Sequence, residues 1–469
     1  MSNKANHINL FEFSNRVDFF ENDTLDKIDE LDIFLDNIWK KRERSVLNFW
    51  GEENNKDTGQ KFIQFDRKNK TIRSNKYVGI IKYKDDVINL LPKIFYKEDE
   101  KRINEEQVTI IQSHILWWLS YCRKFKFPKS FSSFNNKRAN FFEVLIYLYA
   151  SYTKEILGKM IYQAYEEVEN DLPFMKGHID FNKYISQNYI SGNKHKLSCI
   201  YDSFEMDNTF NRIIKFVSKL LFNYASEPDN KRQLREILFI LDDVTDIKAT
   251  IYDCERVKIN PLFAEMNVVL DYCKLFLSNS TVLSYKNQFE VFAFLLPMEY
   301  IFEDFIFGFI KKELDVKVKS QVGNSKLTEE GVFTLRPDLV FEITKNDITK
   351  RIIADTKYKI IYPNDDSDKK HGISEGDMYQ MLTYAVRNKV EEIKLFYPST
   401  ISAENNLLPV CFNIKDEFSG DAKINIIAYQ LPIIANYDNK DSSFVSLEKS
   451  FGVLREILKD RIEDILSFG

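Results

Sequence analysis

The spacing of hydrophobic residues changes twice along the chain and divides it into three sections. Residues 1 to about 100 alternate short apolar runs with clusters of Asn, Asp, Lys and Gly, which predicts a β-rich N-terminal domain. Residues 101–285 place apolar side chains at helical spacing, most clearly in 141–165 and 211–224, which predicts a helical middle region. Residues 286–469 alternate helical and strand patterns. That alternation predicts an α/β domain with a mixed sheet flanked by helices, and a multidomain fold of the α+β or α/β class.

One strand pair is predicted in the first section. Two apolar runs, 77–83 and 87–95, flank the turn residues Lys84-Asp85-Asp86, as in a β-hairpin. Pro92 lacks a backbone N–H, so it marks either an edge strand or the end of a strand.

A second strand pair carries the candidate chemistry. Two strand-like runs, 335–343 and 351–361, flank Asn346-Asp347, and a two-residue turn there places Asp338 directly opposite Asp355. Directly opposed residues have Cβ atoms about 4.5–5.5 Å apart, so the two carboxylates repel each other unless a cation lies between them. Lys357 follows Asp355 by two residues and therefore projects from the same face.

Two acids and a lysine on one strand face are typical of metal-assisted phosphodiester hydrolysis. Carboxylates bind Mg²⁺, which polarises a phosphoryl oxygen and lowers the pKa of a bound water. The lysine neutralises developing charge or positions the attacking water. The alternative interpretation is a solvated amphipathic hairpin that carries these charges by chance.

Two predicted helices can complete such a site. In the helix over 377–388, Asp377, Gln380 and Tyr384 share one face. In the helix over 299–314, Glu303 interrupts an aromatic-rich face. A buried carboxylate needs a partner, so Glu303 either binds a metal, forms a salt bridge or lies at an exposed position.

Composition excludes several classes of protein. The net charge of −5 argues against a coat for nucleic acid, so contact with DNA must come from local basic patches. Five cysteines without a C-x-x-C pair disfavour zinc ribbons, iron–sulfur clusters and a disulfide framework, and they fit a reducing cytoplasm. The most apolar stretch, 289–310, carries four acids, which is too costly for a membrane span. No G-x-x-x-x-G-K-[ST] motif occurs, so any NTP-driven motor must be another protein.

The motif strings around the candidate chemistry resemble a known nuclease family. The strings RPDLVF, IIADTKYK and DMYQMLTYA look like a PD-(D/E)XK nuclease core with the Q-x-x-x-Y helix of RecB-like members. More narrowly, the chain resembles McrC, the nuclease subunit of McrBC-type modification-dependent restriction systems. Further strings similar to that family are VGIIKYKDDVINLLPKIF, YEEVENDLPFMKGHIDF, CIYDSFEMDNTFNRIIK and LLPMEYIFEDFI. The chain departs from the family at Lys176-Gly177-His178, where Arg-Gly-Arg is common.

The resemblance implies a role for each candidate residue. It makes 286–469 the PD-(D/E)XK endonuclease domain, with Mg²⁺ or Mn²⁺ as the cofactor. The implied metal ligands are Asp338, Asp355 and the helix residue Glu303, and the implied catalytic set is Asp338, Asp355, Lys357, Gln380 and Tyr384.

The resemblance also implies a partner and a substrate. The partner is a hexameric McrB-like AAA+ GTPase, into which residues 1–100 dock and whose NTP hydrolysis they stimulate. The substrate is modified double-stranded DNA, cut in the cytoplasm as a defence against phage. Two alternatives stay open: a stand-alone RecB-like nuclease, and a non-catalytic activator of an AAA+ motor. A neighbouring gene with a G-x-x-x-x-G-K-[ST] motif would favour the first interpretation.

Overall fold

The structure is a computed structural model, and it describes most of the chain. The described residues are 7–14, 16–18, 28–36, 39, 62–83, 86–98, 103–123, 141–284, 290–320, 325–328, 330, 334–345, 348–365, 367–402, 407–416, 422–435 and 451–467. The chain divides into two compact units. Unit 1 comprises Met1–Val144 and Asn279–Gly469, and unit 2 comprises Leu145–Ser278.

Both units contain strands and helices, so the fold is a mixed α+β fold as predicted. The strands are β1 His7–Phe11, β2 Arg16–Asp18, β3 Ile63–Asp66, β4 Thr71–Ser74, β5 Tyr77–Tyr83, β6 Asp86–Leu91, β7 Ala164–Leu172, β8 His178–Ile179, β9 Leu197–Glu205, β10 Ser280–Ser284, β11 Glu290–Pro297, β12 Lys317–Ser320, β13 Ser325–Lys326, β14 Thr334–Leu335, β15 Leu339–Lys345, β16 Ile348–Thr356, β17 Glu392–Pro398, β18 Val410–Asp416 and β19 Ala422–Leu431. The longer helices are α1 Glu105–Leu119, α2 Phe141–Lys159, α3 Thr209–Tyr224, α4 Pro228–Ile240, α5 Ile251–Arg256, α6 Met266–Asn279, α7 Met298–Glu313, α8 Glu375–Asn388 and α9 Gly452–Leu466. Across the described part of the chain, no helix is both long and apolar enough to cross a membrane.

A five-stranded sheet in unit 1 contains the first predicted hairpin. Its strand order is β1-β6-β5-β11-β10, and β5 pairs with β6 in antiparallel register, so the hairpin is confirmed. The turn residues Lys84 and Asp85 lie outside the described residues. Strand β6 pairs with β1 as well as β5, so Pro92 marks the end of a strand and not an edge. A Cβ atom at Gly79 would lie 2.0 Å from the Phe294 carbonyl oxygen, and this close strand approach therefore requires glycine.

A six-stranded mixed sheet, also in unit 1, carries the second predicted strand pair. Its order is β12-β15-β16-β17-β19-β18. Within the described part of this sheet, only β16–β17 and β17–β19 pair in parallel. The crossover from β16 to the parallel strand β17 contains α8, as parallel pairing requires. Helix α8 begins where the Ser374 side chain accepts a hydrogen bond from the Asp377 amide, and it ends before Lys389 in the left-handed conformation. Met381 and Ala385 of α8 pack with Ile393 and Leu395 of β17 in one core cluster.

Unit 2 is helical but also contains a sheet that the sequence pattern did not predict. Its three strands have the order β7-β9-β8, and β7 begins at Ala164, inside the range 141–165 that was predicted as helix. The helix there ends at Lys159 instead. Strand β7 has no fully buried residue, so no apolar face marks its period of two. The predicted helix over 211–224 is confirmed as Thr209–Tyr224.

Candidate active site

Strands β15 and β16 bring the two aspartates together. Leu339 pairs with Ala354 and Glu342 with Arg351, which is the register predicted from a tight turn. The turn residues Asn346 and Asp347 lie outside the described residues. Asp338 directly precedes β15, and its backbone N lies 3.4 Å from Oδ1 of Asp355. The two acids therefore lie beside each other where this strand pair ends.

Thr356 holds the carboxylate of Asp338, a contact that the sequence did not predict. Oδ2 of Asp338 accepts hydrogen bonds from the Thr356 backbone N at 2.8 Å and from Oγ1 at 2.7 Å. Strand alternation points Thr356 away from the face of Asp355. Asp338 lies just outside β15, so the alternation of side chains along a strand does not fix its direction. The spacing of residues therefore gave no sign of the contact between Asp338 and Thr356.

Lys357 joins the two acids to helix α8. Its Nζ lies 2.6 Å from Oδ2 of Asp355 and donates a hydrogen bond to Oε1 of Gln380 at 3.0 Å. Its backbone N donates to the Phe396 carbonyl oxygen of β17 at 2.8 Å. The lysine is therefore fixed at both its main chain and its amine.

Gln380 and Tyr384 of α8 hold the amine of Lys357 in place through a chain of hydrogen bonds. Nε2 of Gln380 donates to the Tyr384 hydroxyl at 2.8 Å, and the hydroxyl donates to the Arg336 carbonyl oxygen at 3.1 Å. Because an ammonium can only donate, the amide oxygen of Gln380 must face Lys357. The tyrosine thus orients the glutamine, and the glutamine orients the lysine.

Asp377 and Glu303 take different places from the central residues. The carboxylate of Asp377 accepts hydrogen bonds from Lys359 Nζ at 2.9 and 2.8 Å, so this acid forms a neighbouring ion pair. Glu303 is partly buried on α7, and its charge raises the pKa of Asp338. The structure therefore places Glu303 within electrostatic range of the aspartate pair.

Burial dominates the electrostatics of the two aspartates. It raises the pKa of Asp355 to about 7, and the charge of Asp338 adds to this increase. Burial raises the pKa of Asp338 to about 6, and the charge of Glu303 adds to this increase. Burial lowers the pKa of Lys357, but the combined attraction of Asp355, Asp338 and Asp377 outweighs this and leaves the pKa above its ordinary value. The site therefore holds a charged lysine beside two carboxyls whose ionisation is opposed by burial.

The arrangement fits a hard divalent cation bound by two carboxylates. Oδ2 of Asp355 is buried, and within the described part of the chain no donor is aligned with it for a hydrogen bond, although Lys357 Nζ lies 2.6 Å away. Among the residues that the structure describes, no three His, Cys, Asp or Glu side chains form a group that could hold a metal. Mg²⁺ is commonly bound by one or two carboxylates and keeps several waters. The Asp338–Asp355 pair therefore suffices for such an ion, and a ligand role for Glu303 stays a prediction.

Comparisons with known proteins place the chain in a family. The family model described as "McrBC 5-methylcytosine restriction system component" matches residues 72–398, which is more than half of the chain. A chain in the refined half-complex from the tetradecameric assembly of Thermococcus gammatolerans McrB AAA+ hexamers with bound McrC has a TM-score of 0.61 and 18% identity, covering 97% of this chain and 100% of that chain. A chain of the cryo-EM structure of the Thermococcus gammatolerans McrBC complex has a TM-score of 0.45 and 20% identity, covering 67% and 89% of the two chains. No curated protein matches the sequence. The first of the two structures shows a similar fold.

Proposed function

Because the chain belongs to the family of McrBC 5-methylcytosine restriction system components, we propose that it is the endonuclease subunit of such a system. It cuts the phosphodiester bonds of DNA in a reaction that depends on Mg²⁺ or Mn²⁺, and its site is of the PD-(D/E)XK type. The observation that carries this proposal is the buried pair Asp338 and Asp355, with Lys357 fixed 2.6 Å from Asp355. A non-catalytic activator would have no need for two adjacent buried acids, since each ionises at a cost in free energy.

The two aspartates would hold the metal ion. Bound there, Mg²⁺ would polarise a phosphoryl oxygen and lower the pKa of a coordinated water. Thr356 keeps one oxygen of Asp338 fixed through two hydrogen bonds, which limits the rotation of that carboxylate. A ligand held in this way loses little conformational entropy when it binds a cation.

Lys357 is the residue that acts on the reacting phosphate. Its amine keeps its proton near neutral pH, because the charge of Asp355 raises its pKa. It can therefore neutralise the charge that develops on the phosphoryl oxygens, or orient the attacking water through a hydrogen bond. Gln380 and Tyr384 hold this amine in place, so they act by positioning it.

An AAA+ GTPase hexamer of the McrB type is the proposed partner. The chain has no G-x-x-x-x-G-K-[ST] motif of its own, and the similar structure contains McrB AAA+ hexamers with bound McrC. A net charge of −5 also gives only weak non-specific affinity for DNA, so a partner must supply most of the binding. We expect the N-terminal section, residues 1–100, to dock on this partner and to stimulate its NTP hydrolysis.

The sheet β7-β9-β8 offers a second surface for the same partner. The following large apolar side chains on and around this sheet are exposed: Tyr165, Phe174, Met175, Phe181, Ile190 and Phe204. By contrast, the hairpin β5–β6 in the first section is mostly buried within its own sheet. The rings of Tyr165 and Phe204 contact each other with centroids 5.2 Å apart, and exposed apolar patches mark interaction sites, so we expect this surface to contribute to the complex.

Reconstitution tests the proposal. The chain alone, and the chain with the neighbouring AAA+ subunit, are incubated with Mg²⁺ and 5-methylcytosine-containing or unmethylated DNA, with GTP, ATP or no nucleotide. We expect cleavage only with both proteins, GTP and methylated DNA, and none with Asp355→Ala. Specific cutting by the chain alone without nucleotide would instead establish a stand-alone nuclease. Stimulated GTP hydrolysis with no cutting under any condition would establish a non-catalytic activator.

The docking surfaces are separated by two variants in the same assay. Tyr165→Ser/Phe204→Ser changes two exposed residues of the sheet β7-β9-β8, and Ile33→Ser changes an exposed residue of the first section. Loss of GTPase stimulation in only one of them would assign the contact to that section.

A further inference from the structure

A buried charged cluster connects the five-stranded sheet of unit 1 to the peptide that carries Lys357. Its members are Glu12, which follows β1, Lys93, which follows β6, and Tyr358, which follows Lys357. Glu12 is 1% exposed. Buried charges are costly unless they are paired, and a cluster of this kind needs a structural or functional reason.

The amine of Lys93 binds the main chain directly after Lys357. Lys93 Nζ donates a hydrogen bond to the Tyr358 carbonyl oxygen at 2.8 Å and lies 4.7 Å from the centre of the Tyr358 ring. A charged donor to a carbonyl forms a stronger hydrogen bond than a neutral donor does. The peptide between Tyr358 and Lys359 is therefore held by a charged residue that lies outside α8.

Glu12 fixes both Lys93 and the Tyr358 side chain. Its Oε2 lies 3.3 Å from the backbone N of Lys93 and accepts a hydrogen bond from the Tyr358 hydroxyl at 3.1 Å. Burial raises the pKa of Glu12 to about 8, although the charge of Lys93 opposes this increase. Burial likewise lowers the pKa of Lys93, against the attraction of Glu12. The two groups therefore depend on each other inside the protein.

Two further contacts stabilise the junction between the five-stranded sheet of unit 1 and the segment around Tyr358. The backbone N of Ile401, which follows β17, donates to the Ile94 carbonyl oxygen at 2.9 Å. The Tyr358 ring packs on Phe302 of α7 with a centroid distance of 5.9 Å, and Phe302 precedes Glu303. A displacement of Lys93 would thus be transmitted to Lys357 through a single residue.

We propose that Lys93 is a positioning residue for the candidate active site: by binding the Tyr358 carbonyl it fixes the peptide that holds Lys357, and Glu12 fixes Lys93. This proposal rests on the proposed function, because it assigns Lys93 a role in that same cleavage reaction. Lys93 itself contacts neither the aspartates nor Lys357 through any hydrogen bond or ion pair among those described.

The test compares three variants with the wild type, in the reconstituted complex and in the chain alone. Removing one buried charge leaves the other unpaired, so Lys93→Met is combined with Glu12→Gln to keep the protein folded. Glu12→Gln alone keeps the amine of Lys93. Lys159→Met is the matched control, because it breaks a lysine–glutamate pair between exposed side chains in unit 2.

Two measurements are made on each variant. The first is single-turnover cleavage at varied DNA and Mg²⁺ concentrations, which separates kcat from KM. We expect Glu12→Gln/Lys93→Met to lower kcat roughly 10- to 100-fold with unchanged KM for DNA and Mg²⁺, as displacement of a catalytic group predicts. We expect Glu12→Gln to keep most of the rate, and Lys159→Met to keep all of it.

The second measurement is amide hydrogen exchange in the chain alone. We expect the amides of 356–359 to exchange about tenfold faster in Glu12→Gln/Lys93→Met, while protection in unit 2 stays as in the wild type. A folded double variant with wild-type kcat and wild-type exchange in this segment would overturn the proposal, and so would a loss of rate that appears only in KM. A wild-type complex that fails to cut DNA would refute the proposed function, and the exchange result would then decide the structural link on its own.

Discussion

Two buried acid–lysine clusters in unit 1 have different charge balances. The candidate active site has two aspartates for one lysine, whereas the junction between the five-stranded sheet and Tyr358 has one glutamate for one lysine. The pKa of Lys357 is raised, because the combined attraction of the surrounding aspartates, with Asp355 contributing most, outweighs burial. The pKa of Lys93 is lowered, because burial outweighs the attraction of Glu12.

The difference in charge balance supports the proposed cation at the candidate active site and not at the junction. The single glutamate and lysine of the junction can neutralise each other within the protein. The second aspartate of the candidate site leaves an excess negative charge that no described lysine at the site balances, because Lys359 pairs with Asp377. The surplus carboxylate is therefore the feature that favours a metal over a structural salt bridge.

The largest expected effect is the loss of cleavage on removing either aspartate. Asp338→Ala and Asp355→Ala should each reduce the single-turnover rate to background, because each removes one of the two carboxylates proposed to hold the metal ion. Glu12→Gln serves as the comparison, and it should keep most of the rate. Background cleavage by Glu12→Gln together with full cleavage by Asp355→Ala would reverse the assignment of the two clusters.

Asp355→Asn should not lose stability at neutral pH. Folding raises the pKa of Asp355 to about 7, so the folded state binds this proton more tightly than the unfolded state does. The resulting loss of stability is absent at pH values below the ordinary pKa and complete above the folded pKa. Asp355→Asn should therefore unfold at the same or higher urea concentration than the wild type above about pH 7, with a smaller advantage at about pH 4.

Lys357→Ala should lower the free energy of unfolding, whereas Asp355→Asn should not. It should also abolish cleavage, but it leaves two buried acids without their lysine, and unfolding free energy should fall by about 3 kcal/mol above neutral pH. Urea denaturation of Lys357→Ala beside Asp355→Asn measures the contrast. An equal stability of the two variants would show that Lys357 does not balance the charge of the pair.

The pH dependence of cleavage should report the aspartate pair. At subsaturating Mg²⁺, protons compete with the metal for carboxyls whose pKa values are raised to about 6 and about 7. We expect the rate to fall as the pH drops through this range, and the midpoint to move to lower pH as Mg²⁺ is increased. If the midpoint of the pH profile does not change with the Mg²⁺ concentration, the titration belongs to another group.

The smallest effect is expected for Tyr384→Phe. This change removes only the hydroxyl that bridges Gln380 and the Arg336 carbonyl, so the cleavage rate should fall about tenfold while metal affinity changes little. Thr383→Val is the control, since the Thr383 hydroxyl bonds only within its helix to the Tyr379 carbonyl among the contacts described.

The sequence predicted the parts of the site that follow from local rules. The predicted register agrees with the observed pairing of Leu339 with Ala354, and helical spacing places Gln380 and Tyr384 on one face. The contact of Thr356 with Asp338 depends on a residue just outside a strand, where no spacing rule applies.

Long-range contacts were beyond prediction for a different reason. Glu12 and Lys93 meet Tyr358 only because the fold joins segments far apart in the chain, and neither lysine nor glutamate is expected to be buried. The sheet β7-β9-β8 was missed because its exposed first strand lacks an apolar face.

The central claim, that Asp338 and Asp355 form one cation site, is tested most directly by a calorimetric titration. Mn²⁺ is titrated into the wild-type chain, Asp355→Asn and Glu12→Gln at about pH 8, where both aspartates are ionised. We predict one saturable site in the wild type and in Glu12→Gln, and no measurable site in Asp355→Asn. Equal binding heats and affinities in the wild type and Asp355→Asn would contradict the claim.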